Sequence, residues 1–266
     1  MQINWDILEK FFLLFDKKIS DKEKKFLLKW EIFWDLEKNI SSKIYLEKFS
    51  KYKFLFSICP FIKWIFIWNT IAFWSAKGSS DIDLFIVLEN WKIWTWRLLL
   101  SFLLQIFWVR RHWKKTKWRF CLSFFASEKW AFELANIQIE KNKDIYLAIW
   151  TTTLIPVFWD KKFFEEFFEN NKWVENYGLS DPGVGFQRNL NKNIINKNIF
   201  IRDPGVGFLE KILNFNFIEN FLRKILKLRS ENKKNKIKNN YWIIISEDYL
   251  KFHDNDKRKE IMEKFI

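Results

Sequence analysis

"IFIWNTIAFWSAKGSSDIDLFIV", residues 65–87, is the stretch of this 266-residue chain that decides the fold. Its two ends are continuously apolar and rich in Ile and Phe, which predicts buried strands at 63–67 and 82–88. The polar residues around Gly78 predict a turn before the second strand. Residues 70–77 are predicted to form a short helix. The stretch therefore indicates a strand–turn–helix–strand unit.

Two carboxylates stand at the start of the second predicted strand. Alternate side chains of a strand share a face, so Asp81 and Asp83 point the same way. Paired carboxylates in this position bind hard divalent cations such as Mg²⁺ or Mn²⁺. In phosphoryl transfer, a pair of such ions about 3.5–4 Å apart stabilises the attacking and leaving oxygens. The alternative is a solvated pair of aspartates without a ligand.

The spacing of the unit resembles the motif of the DNA polymerase β-like nucleotidyltransferase superfamily. That motif is a hydrophobic residue, Gly, Gly or Ser, nine to thirteen further residues, and then Asp-h-Asp/Glu-h, where h is hydrophobic. Here Ile67, Trp68 and Asn69 are followed by eleven residues and then by Asp81-Ile82-Asp83-Leu84. The resemblance covers residues 60–127. It implies an α+β fold, with a mixed sheet and flanking helices.

The resemblance also implies an activity. It implies that a nucleoside monophosphate moves from an NTP to an acceptor hydroxyl, with Mg²⁺ or Mn²⁺ held by Asp81 and Asp83. The residues do not identify the acceptor. The turn after the first strand would hold the phosphates, since backbone N–H groups at a turn or a helix start bind anions. The implied substrate-binding residues are Trp68, Asn69, Thr70 and Ser80.

The chain departs from the family pattern at the third carboxylate, which is expected on a later strand. The matching strand, 119–126, offers Cys121 and Ser123 but no acid. This carboxylate would be a metal ligand and the base for the acceptor hydroxyl. Candidates to replace it are Glu128, Glu133 and Glu247. The second hypothesis is therefore a catalytically degenerate protein of the same fold that binds nucleotide or nucleic acid.

Tryptophan is in excess and glycine is scarce, with 17 Trp and 6 Gly. Glycine makes up about 7% of an average protein. Trp68 falls on the first glycine of the motif, and Trp74 falls where the superfamily often has a second glycine, about six residues after the first. Trp94, Trp150 and Trp173 lie on apolar helical faces where tryptophan is expected. We hypothesise that some of the tryptophan codons, among them those at positions 68 and 74, are UGA, which certain bacterial lineages read as glycine. The further positions where a turn or cap glycine is expected are Trp91, Trp108, Trp113, Trp118 and Trp159.

The net charge of +14 suggests anionic partners, although the abundance of Lys, Asn and Ile also fits an AT-rich genome. Basic segments at 109–119 and 223–238 are predicted to contact phosphates of a nucleotide or nucleic acid, the alternative being solvated surface. The chain has two cysteines without paired spacing and two distant histidines, His112 and His253. The cysteines argue against a disulfide scaffold or a zinc site, and the histidines exclude a multi-histidine metal centre.

Membrane association is a third hypothesis, with spans near 54–74 and 94–109. Pro60, Lys63 and Asn69 interrupt the first apolar run, so a membrane partner is disfavoured. Without a recognisable signal peptide, the expected location is cytoplasmic. The predicted organisation is an N-terminal helical segment at 1–53, a nucleotidyltransferase core at 54–130, a helical partner at 131–177, a flexible insertion at 178–208 carrying two copies of DPGVGF, and a C-terminal part at 209–266.

Further elements are predicted from periodicity and turn signals. Helices are predicted at 5–15, 20–36, 42–50, 94–107, 144–157, 161–175, 209–229 and at the C-terminus, and strands at 119–126 and 241–246.

Overall fold

The computed structural model describes residues 40–72, 76–112, 115–138, 144–159, 166–167, 169–177, 200–201, 216–236 and 243–252. The predicted helices at 5–15 and 20–36, both copies of DPGVGF and the predicted C-terminal helix lie outside these residues.

Five α-helices and seven strands are described, with two short 3₁₀ helices. The helices are α1 (Ile40–Ser57), α2 (Ile93–Ile106), α3 (Glu128–Ala131), α4 (Ile145–Thr153) and α5 (Asn216–Asn235). The strands are β1 (Ile62–Ile67), β2 (Ile82–Leu88), β3 (Phe120–Ser127), β4 (Ile155–Trp159), β5 (Phe200–Ile201), β6 (Ile244–Ile245) and β7 (Tyr249–Lys251). The 3₁₀ helices span Leu134–Ile137 and Lys172–Tyr177.

The described strands form one mixed sheet in the order β5-β4-β1-β2-β3-β7-β6. The central strand β2 pairs antiparallel with β1 and parallel with β3. On the outer sides, β4 pairs antiparallel with β1, and β7 pairs antiparallel with β3. Every residue of β2 is buried, as its nearly continuous apolar run predicts for a central strand. The α+β class with a mixed sheet and flanking helices is thus confirmed.

Helices α1 and α4 pack on opposite faces of the sheet. Phe120 of β3 contacts the ring of Phe56 in α1, with centroids 5.6 Å apart. On the other face, Trp150 of α4 contacts Phe85 of β2 at 5.3 Å and Phe124 of β3 at 5.6 Å. Phe120 and Phe124 reach different faces because the β2–β3 register shifts between Asp83 and Phe85. The face under α4 therefore carries Asp83, which lies two residues before Phe85.

Two predicted helices differ from the structure. Residues 69–72 form turns, and 76–77 are not helical, so the helix predicted at 70–77 is wrong over its described part. The helix predicted at 144–157 ends at Thr153, and β4 follows it. Pro156 explains the change, because proline lacks the N–H that a helix interior needs and the surrounding Ile, Val and Phe favour a strand. Opposite Pro156, the β1–β4 register is irregular, as expected for proline in a sheet.

The C-terminal part also differs in its boundaries. The described part of the helix predicted at 209–229 belongs to α5, which extends beyond the predicted end to Asn235. Within the described part of the strand predicted at 241–246, residues 244–245 form β6, and β7 was not predicted. In the region predicted as a helix at 161–175, the described residues 166–167 and 169–170 are helical, and a 3₁₀ helix follows.

No helix in the described part of the chain has both the length and the apolar content needed to cross a bilayer. The two segments considered as membrane spans form other elements. Segment 54–74 contains the end of α1 and the whole of β1, and segment 94–109 is mostly the 14-residue helix α2.

The N-terminus of α2 is capped by a side chain that is distant in sequence. Lys92 occupies the N-cap position but does not cap the helix with its side chain. Instead, the carboxylate of Glu219 in α5 accepts hydrogen bonds from the backbone N–H groups of Trp94 at 2.9 Å and Thr95 at 2.8 Å. A negative charge at a helix N-terminus satisfies the unpaired N–H groups and interacts favourably with the helix dipole. Glu219 is buried, so this contact fastens α5 to α2.

We expect Glu219→Ala to lower the free energy of unfolding by about 2 kcal/mol, because two buried donors lose their acceptor. Glu219→Gln keeps one acceptor oxygen and should lose less. Urea titration followed by circular dichroism measures both values. Glu231→Ala, on the same helix, is the matched control and should change stability little. Equal effects of Glu219→Ala and Glu231→Ala would contradict the capping role.

Candidate functional site

Asp81, Asp83 and Cys121 form a cluster at the start of β2. One ligand atom from each lies within 4.8 Å of the others. Asp83 and Cys121 are directly paired across the parallel strands β2 and β3, and Asp81 immediately precedes β2. The structure thus brings together the two predicted carboxylates and adds a thiol from the neighbouring strand.

Asp83 is the most buried acid of this cluster, with 5% of its surface exposed. Its Oδ2 accepts a hydrogen bond from Asn69 Nδ2 at 2.9 Å. Its Oδ1 is buried and has no hydrogen-bond partner in the described part of the chain. Leaving a buried charged group unsatisfied costs about 1–3 kcal/mol or more. A cation bound at Oδ1 would remove this cost, so the residues present fit a divalent metal.

The turn after β1 is fastened to Asp83. The backbone N–H of Trp68 donates to the Asp83 carbonyl at 3.2 Å, and the Asn69 side chain holds the carboxylate. Asn69 has a φ of 57°, in the left-handed region where Gly and Asn are favoured. Asn69 therefore adopts a conformation open to glycine and also supplies a hydrogen-bond donor. Thr70, also implied in substrate binding, is the next residue of this turn.

Ser80 stabilises the turn that leads into β2 by accepting hydrogen bonds. Its Oγ accepts from the backbone N–H of Lys77 at 3.0 Å, and its carbonyl accepts from Tyr45 Oη at 2.9 Å and from the Trp118 N–H at 3.1 Å. Burial and then the charge of Asp81 raise the pKa of Tyr45, so its hydroxyl stays a donor at neutral pH. These contacts fix the backbone just before Asp81. A direct role of Ser80 in substrate binding stays a prediction.

Trp68 is buried on the same face as Asp83. Its ring lies 5.4 Å from that of Trp150 and 6.1 Å from that of Phe124, measured between centroids. Phe124 in turn contacts Phe85, the neighbour of Asp83 on this face. The indole thus fills space beside the cluster. Trp74, at the second motif glycine, lies outside the described residues.

Of the two β3 residues considered for the position of a third carboxylate, Cys121 lies beside Asp83. Ser123 lies two residues further along β3 and is not paired with Asp83. Burial, and then the charges of Asp83 and Asp81, raise the pKa of the Cys121 thiol well above its ordinary value. The thiol is therefore protonated at neutral pH and cannot accept a proton from a substrate.

None of the three glutamates considered as replacements joins the cluster. Glu128 begins α3 after the far end of β3, about 23 Å along the strand from Cys121. Glu133 accepts a hydrogen bond from Asn136, and Glu247 lies 3.8 Å from Arg223. Within the described residues, the site has two carboxylates and a thiol.

Arg111 is the site residue that the sequence did not single out. Its Nη1 lies 2.9 Å from Asp81 Oδ2 and donates to Cys121 Sγ at 3.4 Å. Burial alone would lower the pKa of Arg111, but the neighbouring Cys121 and Asp81 side chains outweigh burial and raise the pKa. In the sequence, Arg111 is one of several similar cations in the segment 109–119, and nothing distinguishes it from Arg110.

One end of the segment 109–119 is attached to β3, and lysines further along the segment are exposed. The Arg111 N–H donates to the Phe120 carbonyl at 2.9 Å, and the Phe120 N–H donates to the Val109 carbonyl at 2.8 Å, so this end is attached to β3. Lys115 and Lys117 are exposed. In the segment 223–238, residues 223–235 belong to α5. Contact of either segment with nucleic acid stays a prediction. His253 lies outside the described residues.

Three tryptophans have a backbone conformation that favours glycine. Among the described non-glycine residues, φ is positive at Asn69 and at Trp91 (63°), Trp108 (55°) and Trp118 (64°). All three tryptophans are positions where glycine is expected from the sequence. Trp159, also expected to be glycine, instead ends β4 without a positive φ, and Trp113 lies outside the described residues.

Trp108 illustrates the conflict between side chain and backbone. It follows the C-cap of α2, where its N–H donates to the Gln105 carbonyl at 3.0 Å and the Val109 N–H donates to the Leu104 carbonyl at 2.9 Å. This pair of bonds is the Schellman motif, in which the residue at Trp108 is usually glycine. The side chain is 69% exposed. In contrast, Trp94 and Trp150 are buried on helices, and Trp173 is half-buried.

Comparison of the chain with protein-family models, with curated proteins and with solved structures found no match.

Proposed function

We propose that this chain has a DNA polymerase β-like nucleotidyltransferase core and binds an NTP together with a divalent metal through Asp81 and Asp83. The buried, unsatisfied Oδ1 of Asp83 supports this proposal most directly. It lies beside Asp81 at the start of a central strand, and the upstream turn is hydrogen-bonded to the same carboxylate. This is the placement that the motif implies for the metal ligands.

The chain's own groups have distinct roles in the proposed reaction. Asp83 provides Oδ1 as a ligand, and Asn69 holds the carboxylate in one orientation. Asp81 provides the second carboxylate, and the turn at 68–70 lies where the motif places the phosphates. When bound, Mg²⁺ or Mn²⁺ would neutralise charge on the triphosphate and polarise the phosphoryl group.

Transfer also requires that the acceptor hydroxyl loses its proton. Cys121 is protonated at neutral pH, and the described cluster has no third carboxylate. We therefore expect nucleotide binding with slow or absent transfer. This observation favours the second candidate function, a nucleotide-binding protein of the same fold that has lost catalysis.

We also propose that Trp68, Trp74, Trp91, Trp108 and Trp118 are glycine in the native protein, encoded by UGA. The positive φ at three of them supports this, because the left-handed conformation costs an L-residue about 1–2 kcal/mol. At the other two, the support is the spacing of the motif. The protein with glycine at these five positions is called the glycine form below.

The binding proposal is tested with Mn²⁺ and a fluorescent ATP analogue, using the glycine form. We expect Asp83→Asn to weaken nucleotide binding about 100-fold, because the metal loses its buried anionic ligand. Asp81→Asn combined with Asp83→Asn should abolish binding. The matched control is Glu89→Gln, which removes a carboxylate from the opposite end of β2, where Glu89 pairs with Lys63 at 3.3 Å. Unchanged nucleotide affinity in the double variant would contradict the assignment of the site to Asp81 and Asp83.

A further inference from the structure

We propose that Arg111 takes the place of a second metal ion, so that this site holds one divalent cation rather than two. The proposal rests on the function proposed above. One guanidinium nitrogen, Nη1, reaches both Asp81 Oδ2 at 2.9 Å and Cys121 Sγ at 3.4 Å. A cation that is covalently part of the chain thus bridges two of the three groups that could otherwise share a metal.

The backbone holds Arg111 in this position. Its N–H donates to the Phe120 carbonyl, and the Arg110 backbone forms a bridge with Phe120 at the start of β3. Because Cys121 follows Phe120, the strand that carries the thiol also positions the guanidinium. Arg111 is only partly exposed, with 36% of its side chain accessible, and the Asp81 side chain is 18% accessible. This attachment differs from that of a mobile surface ion pair, which contributes little.

The ligands divide into two groups around Arg111. Asp81 and Cys121 contact the guanidinium, whereas the Asp83 carboxylate is held by Asn69 and keeps Oδ1 for another cation. A second divalent ion near Asp81 and Cys121 would lie within a few ångströms of a permanent positive charge, and the repulsion between them is strong at that distance. The space beside Asp83 Oδ1 therefore suits one ion, and the triphosphate oxygens would supply the rest of its coordination shell.

The test counts Mn²⁺ ions bound to the glycine form saturated with a non-transferable ATP analogue, from the electron paramagnetic resonance signal of free Mn²⁺. We expect one ion per chain. Arg111→Met should admit a second ion, with an affinity at least about 100-fold above that of the parent protein. Arg111→Gln should also admit a second ion, and it replaces Arg111→Met in the test if the methionine variant does not fold. Arg111→Lys keeps the charge and should bind one ion.

Lys115→Met is the matched control, because it removes an exposed positive charge from the same segment. It should leave the count at one. Two ions in the parent protein, or one ion in both neutral Arg111 variants, would overturn the role of Arg111 while leaving the nucleotide site intact. No bound ion in the parent protein or in any variant would instead overturn the proposed function.

Discussion

Replacing Trp108 by glycine should raise the free energy of unfolding by about 1 kcal/mol, whereas replacing Trp94 by glycine should lower it by about 4 kcal/mol or more. Both residues belong to the same region of the chain, at opposite ends of α2. Trp108 has a φ of 55° and a largely exposed side chain, so glycine relieves backbone strain and removes little packing. Trp94 is 1% exposed within the helix, so glycine would leave a cavity and weaken the helix.

The measurement is urea unfolding of each single variant, made in the protein that keeps tryptophan at all the other positions. Trp91→Gly should behave like Trp108→Gly, because Trp91 is also exposed and has a positive φ. Trp118→Gly should gain less, because the Trp118 ring contacts Tyr45 at 4.8 Å. Destabilisation by Trp108→Gly and Trp91→Gly would contradict the strain interpretation. The gene gives a second check: we expect UGA at positions 91, 108 and 118 and UGG at position 94.

Replacing Cys121 by aspartate should increase the rate of nucleotidyl transfer by about 10²–10⁴-fold, the usual contribution of a general base. In the reaction, the acceptor oxygen bonds to the α-phosphorus, the bond from that phosphorus to the bridging oxygen breaks, and pyrophosphate leaves. The proton of the acceptor hydroxyl must move to a base. Cys121 is directly paired with Asp83, so a carboxylate at this position would lie beside the other two.

The assay uses the glycine form with labelled NTPs and pooled small-molecule, protein and RNA acceptors. The matched control is Ser123→Asp, which adds the same carboxylate two residues further along β3. Ser123 is buried and is not paired with Asp83, so we expect this variant to gain less activity. A gain from Ser123→Asp without a gain from Cys121→Asp would mean that the third position is misplaced. Nucleotide binding without transfer in any variant would favour the catalytically degenerate protein.

The centre of the sheet could be predicted from the sequence alone. The strands predicted at 63–67 and 82–88 are confirmed as β1 and β2, because both are short, mostly apolar runs bounded by turn signals. The relation between Asp81 and Asp83 was predictable for the same reason: the alternation of side chains is a local property of a strand. The positive φ at Trp91 and Trp108 followed from turn and cap positions, which are also local.

The edges of the sheet were harder to predict. Residues 155–157 were assigned to a helix because the preceding run from Ile145 has few polar interruptions, yet they belong to β4, which pairs with β1. Strand β7 has three residues, too few for a periodic pattern, and forms through its pairing with β3. Pairing of this kind joins residues that are far apart in sequence, and local propensity does not report it.

The sequence by itself determined that two carboxylates share a face at the start of a buried strand, since strand geometry links residues two apart. Only the tertiary structure decided what surrounds them. It placed Cys121 rather than Ser123 beside Asp83, through the parallel register of β2 and β3. It also brought Arg111 to Asp81, because the backbone after α2 folds back onto Phe120. These contacts depend on strand register and on the path of a loop, and many distant residues together fix both.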